Sequence, residues 1–221
     1  MSDANKAREY EFKNVCRVIF TDTLFTPKQY VDPKTKKAKG DPKYSATFLL
    51  APDSADLAAL KSLCKEIAKE HNADFANTAW PFKNGDTEAD KLKARGKNGE
   101  VYRGQVVIRS DTGEKYPPGL AIFKDGNIKK GAIDLASPAL VSQYKGWFYS
   151  GSNVIPVVQL KWYDAVNEGK PGIKAYLGMV VATNTGERLG GGKPASERFK
   201  GVVGQATNED PTGDLDDEIP F

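Results

Sequence analysis

The chain has 221 residues, 39% of them apolar and 28% charged, with a formal net charge of +3. That is length and apolar content enough for one large domain or two small ones, while no stretch approaches the roughly 20 consecutive apolar residues that a membrane span needs. Residues 1–12 (MSDANKAREYEF) hold no apolar secretory segment, and the only cysteines, Cys16 and Cys64, each sit among apolar neighbours. We therefore expect a cytoplasmic protein with buried thiols rather than a disulfide.

In chain order, residues 1–10 are polar. Over Phe12–Phe25 the apolar Val15, Ile19 and Phe20 mix with Thr21 and Thr23, which predicts a first strand, bent near Asp22. Residues 27–44 (PKQYVDPKTKKAKGDPKY) hold three prolines and six lysines (Lys28, Lys34, Lys36, Lys37, Lys39, Lys43) against Asp32 and Asp41. They read as a basic loop able to lie over a phosphate backbone. Tyr44–Ala51 is a second strand, stopped at Pro52. Asp53 or Ser54 can cap a helix to His71, whose apolar stripe is Leu57, Leu60, Cys64, Ile67 and Ala68. His71 is the only histidine, and at a helix end it is expected to contact the last carbonyls, not to catalyse.

From Asn72 to Glu100 no clean periodicity shows, but Trp80-Pro81-Phe82-Lys83 joins rings to a cation, and Lys91, Lys93, Arg95 and Lys97 follow. Glu100–Ser110 and Leu120–Phe123 read as strands, and Asp125-Gly126 as a hairpin turn. Tyr144, Trp147, Phe148 and Tyr149 crowd around Lys145. Asn153–Ala165 then alternates, with Val158, Leu160 and Trp162 on one face and Gln159, Lys161 and Tyr163 on the other. Val166–Gly172 is a turn, and Ile173–Thr183 closes a hairpin. Beyond Asn184 the chain is Gly- and Lys-rich, which sets the expected boundary: a folded domain over 1–200 and a flexible tail over 201–221.

Catalysis finds little support in these residues. One histidine and two distant cysteines make no zinc set and no nucleophile–base pair. Gly190-Gly191-Gly192-Lys193 fails the phosphate-loop spacing, because Glu187 stands where glycine is needed and Pro194 where Ser or Thr is needed. Acids outside the tail do not cluster as a two-metal nuclease would want. We expect no enzyme, cofactor or metal. Binding is better supported. Five or more short strands with one helix and a long basic loop suit a mainly β fold, a small barrel of OB type. Sequence-independent binding of single strands needs aromatic platforms and a cationic groove. The candidate DNA-binding residues are Trp80, Phe82 and Lys83; Tyr102 and Arg103; Lys145, Trp147 and Tyr149; and Lys161 and Tyr163. A barrel of this size also needs buried rings, so about half of these are expected to be structural. Trp162 is assigned to the core outright.

The last thirteen residues, Glu209–Phe221 (EDPTGDLDDEIPF), carry six carboxylates and no basic residue. Without them 32 Lys+Arg face 23 Asp+Glu, so residues 1–208 carry +9. An acidic run is commonly a solvated tail, and solubility alone could explain it. The terminal Ile219, Pro220 and Phe221, with a free carboxylate, suit capture in a partner's pocket instead. Asp216, Asp217, Glu218, Ile219, Pro220 and Phe221 resemble the C-terminal peptide of bacterial single-stranded-DNA-binding proteins (SSBs); with Asp214 they form the candidate partner-binding segment. The body, with its lysine-rich stretch, departs from bacterial SSB, and the SSB tetramer is not carried over.

A second resemblance covers nearly the whole chain. Tyr149-Ser150-Gly151, LKWYDA at 160–165, GKPGIKAYLGMVVA at 169–182 and GERLGGGKPASERF at 186–199 are similar to a family of tailed-phage single-stranded-DNA-binding proteins of OB fold. That likeness implies a five-stranded barrel with inserted loops and a helix. It also implies a cleft lined by aromatic and basic side chains and a mobile acidic tail ending in Phe. The expectation is thus a sequence-independent single-stranded-DNA coat acting in phage replication or recombination, in the host cytoplasm. Its tail would compete with DNA and recruit replication proteins such as a polymerase or helicase. A protein-interaction hub that does not touch nucleic acid, and a recombination annealing protein, are the alternatives.

Overall fold

Period-two alternation makes strands the main regular element among the described residues. The computed structural model describes residues 6–32, 35–128, 133–165 and 169–189. Its strands are β1 (Arg8–Glu11), β2 (Cys16–Ile19), β3 (Lys28–Val31), β4 (Ala38–Leu50), β5 (Phe82–Asn84), β6 (Val106–Gly113), β7 (Gly119–Lys124), β8 (Asn127–Ile128), β9 (Asn153–Tyr163) and β10 (Gly172–Ala182). The helices are α1 (Ala55–Glu70), α2 (Gly85–Lys93) and α3 (Pro138–Tyr144).

Five strands pair in a ring, β2 to β4, β4 to β6, β6 to β10, β10 to β9 and β9 back to β2. Numbered as they occur along the chain, the ring runs first, second, third, fifth, fourth. The joint between β6 and β10 is parallel, and its one registered pair is Tyr176 with Asp111. The other joints are antiparallel. Around the ring, β1 extends β9, β7 extends β10, β3 pairs β4 and β5 pairs β6.

Inside the ring lie alternate residues of each strand: Val18, Phe48, Ile108, Leu160 and Leu177 are all buried in the main core. The α1 stripe read from the sequence, Leu57, Leu60, Cys64, Ile67 and Ala68, packs into the same core. Each fully buried Leu or Phe contributes about 1.5–3 kcal/mol over its exposed state. A second, smaller core forms on the opposite face of β2, β4 and β6. There Ile19, Leu49 and Val107 are covered by Ala89 of α2 and by Tyr102. Consecutive residues such as Phe48 and Leu49 are thus buried on both faces of one strand.

Ser54 is the residue before α1, but its side chain makes no capping bond. The helix is anchored by Asp56, a buried carboxylate. It accepts bonds from Tyr10 Oη at 2.8 Å, the Lys13 N–H at 2.8 Å, and the Asn14 N–H and Nδ2 at 3.0 and 2.9 Å. Burial would raise its pKa, but these four bonds outweigh that and hold the carboxyl below the usual range. Tyr10, desolvated and bonded to this anion, is pushed up to about 12. At the other end the His71 N–H bonds the Ile67 carbonyl at 3.3 Å, while its ring stacks on Trp162 at 4.8 Å between centroids.

The structure revises several expectations. The expected strand over 12–25 is split: β2 ends at Ile19, and a 3-10 turn over Thr21–Leu24 follows, entered through Phe20 at φ 61°. The stretch 27–44 is not a loop but carries a β-hairpin, because β4 begins at Ala38 and pairs with β3. Besides the one helix expected, two further helices form: α2, within the 72–100 stretch that lacks clean periodicity, and α3. The Asp125-Gly126 turn forms as read, with φ of 54° and 76°, the positive pair that a tight hairpin turn requires. The β9–β10 hairpin also forms as read, with Val158, Leu160 and Trp162 buried. Residues 190–221, including the boundary expected near 200, lie outside the described residues.

Candidate nucleic-acid interface

On β10, Ile173, Ala175 and Leu177 point inward, so Lys174 and Tyr176 are left on the outer face. The register with β9 places Lys161 opposite Lys174, Gln159 opposite Tyr176, and Tyr163 opposite Gly172. On β6 the outward positions are Arg109 and Asp111. Gly172 admits a close backbone crossing: a Cβ there would lie 2.3 Å from the Ala79 carbonyl oxygen and 2.9 Å from the Tyr163 hydroxyl. The Ala79 N–H bonds the Pro171 carbonyl at 2.8 Å and the Ile173 N–H bonds the Ala79 carbonyl at 2.9 Å. This crossing sets Trp80 beside the outer face, edge-on to Phe75 at 5.7 Å.

The result is an open channel in three connected hollows. The middle one, of about 290 Å³, lies between Trp80, Lys83, Arg109, Asp111, Tyr163, Lys174 and Tyr176. Lys83 and Arg109 also wall a second hollow toward α2, with Glu88, Lys91 and Arg95. Asp111 walls the third, of about 380 Å³, which runs under the β3–β4 hairpin past Lys28, Tyr30, Lys39 and Lys43. Eight Lys/Arg against three Asp/Glu line the whole, interleaved with four aromatic rings.

Its charges are ordered by two carboxylates. Glu88, buried on α2, accepts from Lys91 Nζ at 2.9 Å and from Arg109 at 2.6 Å. Burial alone would raise its pKa, but the Lys91 bond and the charges of Arg109, Lys83 and Lys91 hold it below the usual value. Asp111 Oδ1 accepts from Lys174 Nζ at 2.6 Å and faces Lys43 Nζ at 3.5 Å. Lys174 Nζ also stands 4.8 Å from the centre of the Tyr176 ring. The ammonium of Lys83 has a lowered pKa, first through partial burial and then through the Arg109 and Lys91 charges, with Glu88 opposing. Cations crowded in this way favour an incoming anion. Among the described residues no cluster of His, Cys, Asp and Glu could hold a metal ion.

Of the residues named from the sequence, Trp80, Lys83 and Tyr163 line the channel together. Lys161 is exposed on the adjoining face, across from Lys174. Phe82 is half-buried against the main core. Tyr102 is 2% exposed within the second core and has no ring face to offer, so it is a core residue rather than a platform. Arg103 is engaged by Asp90 at 2.6 Å, outside the channel. The Lys145–Trp147–Tyr149 group does not line it either. Lys145 sits 5.8 Å from the Phe25 ring, Trp147 packs on the main core, and Tyr149 bonds the Gly186 carbonyl at 2.8 Å under the Arg188 guanidinium. Of these side chains, Tyr149 fastens the segment that follows β10. Asp214, Asp216, Asp217, Glu218, Ile219, Pro220 and Phe221 lie outside the described residues.

Sequence reading missed Arg109, Lys174 and Tyr176. The signal was present in IKAYL at 173–177, where the intervening residues are apolar and buried.

The architecture and the channel fit a class, the viral single-stranded-DNA-binding proteins, and the comparisons with known proteins fall there. A family model described as the ssDNA-binding protein of Enterobacter phage Enc34 matches residues 13–212, and the chain belongs to that family. The solved structure of the single-stranded DNA-binding protein from bacteriophage Enc34 is similar, with a TM-score of 0.53 at 19% identity, over 87% of this chain and 89% of that one. The Enc34 protein in complex with ssDNA gives 0.50 at 18% identity, over 82% and 89%. At such identities the likeness speaks to the fold. No curated protein matches the chain. No helix among the described residues is long and apolar enough to cross a membrane.

Proposed function

We propose that the protein coats single-stranded DNA without sequence preference and without catalysis, in phage replication or recombination in the host cytoplasm. The observation that carries this reading is the channel: eight cations and four rings line three adjoining hollows, from Arg95 to Lys39. The five-strand ring is read as an OB barrel, because its order and its one parallel joint are those of that fold. Lys83, Arg109, Lys174 and the hairpin lysines neutralise phosphates and release counterions, while Trp80, Tyr163 and Tyr176 stack on bases. Membership in the Enc34 family supports the ligand class. The acidic tail, opposite in sign to the body, competes for the channel and offers Phe221 to replication proteins.

The test is a titration of a fluorescent dT oligonucleotide and a matching duplex at two salt concentrations, with the intact protein and a chain ending at Asn208. Salt-dependent binding that favours the single strand, tighter without the tail, is the expected result. Absence of binding by both proteins would overturn the reading.

A further inference from the structure

The channel has a carboxylate at its centre, where a binder of polyanions has least electrostatic use for one. Asp111 is the residue shared by the middle and hairpin hollows, so a strand threading the channel passes it. It stands on the seam of the ring, opposite Ser45 on β4 and Tyr176 on β10. Its Oδ1 takes Lys174 at 2.6 Å and Lys43 at 3.5 Å, one lysine from each side of the seam. The pair is partly open to solvent, with both side chains 29% exposed, so a phosphate can reach either lysine without unfolding anything.

We propose that Asp111 is an internal counterion that limits the affinity of the channel. This rests on the single-strand-binding reading above. Polyanion binding draws its strength from releasing condensed ions into solution. A phosphate that takes Lys174 from Asp111 displaces a carboxylate that cannot diffuse away. The phosphate still sheds its condensed cation, but the uncompensated carboxylate draws one back, which offsets the release, and the phosphate meets a fixed negative charge a few ångströms off. Glu88 differs in kind: it is 7% exposed, lies behind Arg109 on the α2 side, and orients that guanidinium from beneath. Asp111 thus holds Lys43 and Lys174 in place while keeping the grip on the DNA backbone reversible. For a coat that has to leave ahead of a copying enzyme, reversibility matters as much as grip.

A plain structural clamp, tying β10 to β6 through Lys174, is the rival, and the two differ in sign. In the full-length protein Asp111→Asn should tighten dT binding at low salt by about three- to tenfold, with slower dissociation. It should also steepen the salt dependence by about 0.7 in the log–log slope for each additional phosphate neutralised. The midpoint of thermal unfolding should stay close to that of the unaltered protein, as expected for a partly exposed pair. Asp53→Asn, outside the channel, measures the generic effect of removing one negative charge and should change the slope little. In a Lys43→Gln/Lys174→Gln background, Asp111→Asn should lose most of its effect, since the cations it restrains are gone. Weaker binding with a lowered unfolding midpoint would make Asp111 a clamp and overturn the proposal. So would an unchanged slope, or a gain no larger than that of Asp53→Asn. If the unaltered protein and its tail-less form do not bind the oligonucleotide at all, the functional reading itself falls. Binding by the unaltered protein with no response to Asp111→Asn removes only this inference.

Discussion

Tyr163 and Tyr102 carry the same side chain to opposite ends. Tyr163 is 38% exposed at the rim of the channel, whereas Tyr102 closes the second core. Tyr163→Ala should cost about 1–3 kcal/mol of single-strand affinity, the usual loss for one stacked base, with the salt slope unchanged because no cation is removed. Tyr102→Ala should do the reverse, lowering stability by about 3–5 kcal/mol through the cavity it leaves, while the protein that remains folded binds normally. Paired urea unfolding and fluorescence titration separate the two. A third residue, Asp56, belongs to neither group, since it ties α1 to the β1–β2 connection. Its folded pKa is depressed, so its contribution is present above the unfolded value near 3.9 and is lost as pH falls through the folded one. Asp56→Asn should lower stability near neutral pH by about 1.5–3 kcal/mol. The gap to the unaltered protein should narrow in urea midpoints measured toward pH 3.

The β3–β4 hairpin is the element that the sequence disguised most. KQYV is exposed along its whole length, so it shows no apolar alternation, and Pro42 within β4 argues on its face against a strand. The pairing is set by its continuity with Tyr44–Leu50, which is buried, and the exposed half follows the buried half outward. Similar reasons hid α2. Nine residues with Gly85 at the start and Glu88 as a buried position leave only Ala89 and Leu92 as an apolar signature. By contrast α1 and the β9–β10 hairpin were legible because each has one uninterrupted apolar face. For the channel, Trp80, Lys83 and Tyr163 stood out as rings beside a cation or on the polar face of a strand. Arg109 and Tyr176 did not, since their role depends on the β6–β10 seam, a pairing between distant segments. As an element the hairpin carries Lys28, Lys39 and Lys43 along the third hollow. Replacing all three by Gln should flatten the salt slope by about 0.7 for each phosphate no longer neutralised. Stability should change by no more than about 0.5 kcal/mol per site, because these side chains are exposed. A slope identical to that of the unaltered protein would place the hairpin outside the path of the strand.

At the scale of the whole molecule, charge is the organising quantity. Residues 1–208 carry +9 and residues 209–221 hold six carboxylates, so the formal +3 of the chain hides two opposed parts. The two proposed duties of the tail draw on different chemistry and can be separated. Competition with DNA needs only negative charge, because in the proposed channel phosphates would be met mainly by Lys and Arg. Capture by a partner needs the terminal ring and its carboxylate. Replacing Asp214, Asp216, Asp217 and Glu218 with their amides should therefore tighten single-strand binding nearly as much as ending the chain at Asn208. Phe221→Ala should leave DNA affinity unchanged and abolish co-purification with replication proteins of an infected cell. Both DNA effects should fade as salt rises, since the Debye length shrinks from about 10 Å at 0.1 M to about 3 Å at 1 M. The outcome that would separate tail from channel is an amide-bearing tail that still weakens binding as the acidic one does. Inhibition would then be steric, and the opposite charges of the two parts would serve solubility and partner encounter rather than mimicry of DNA.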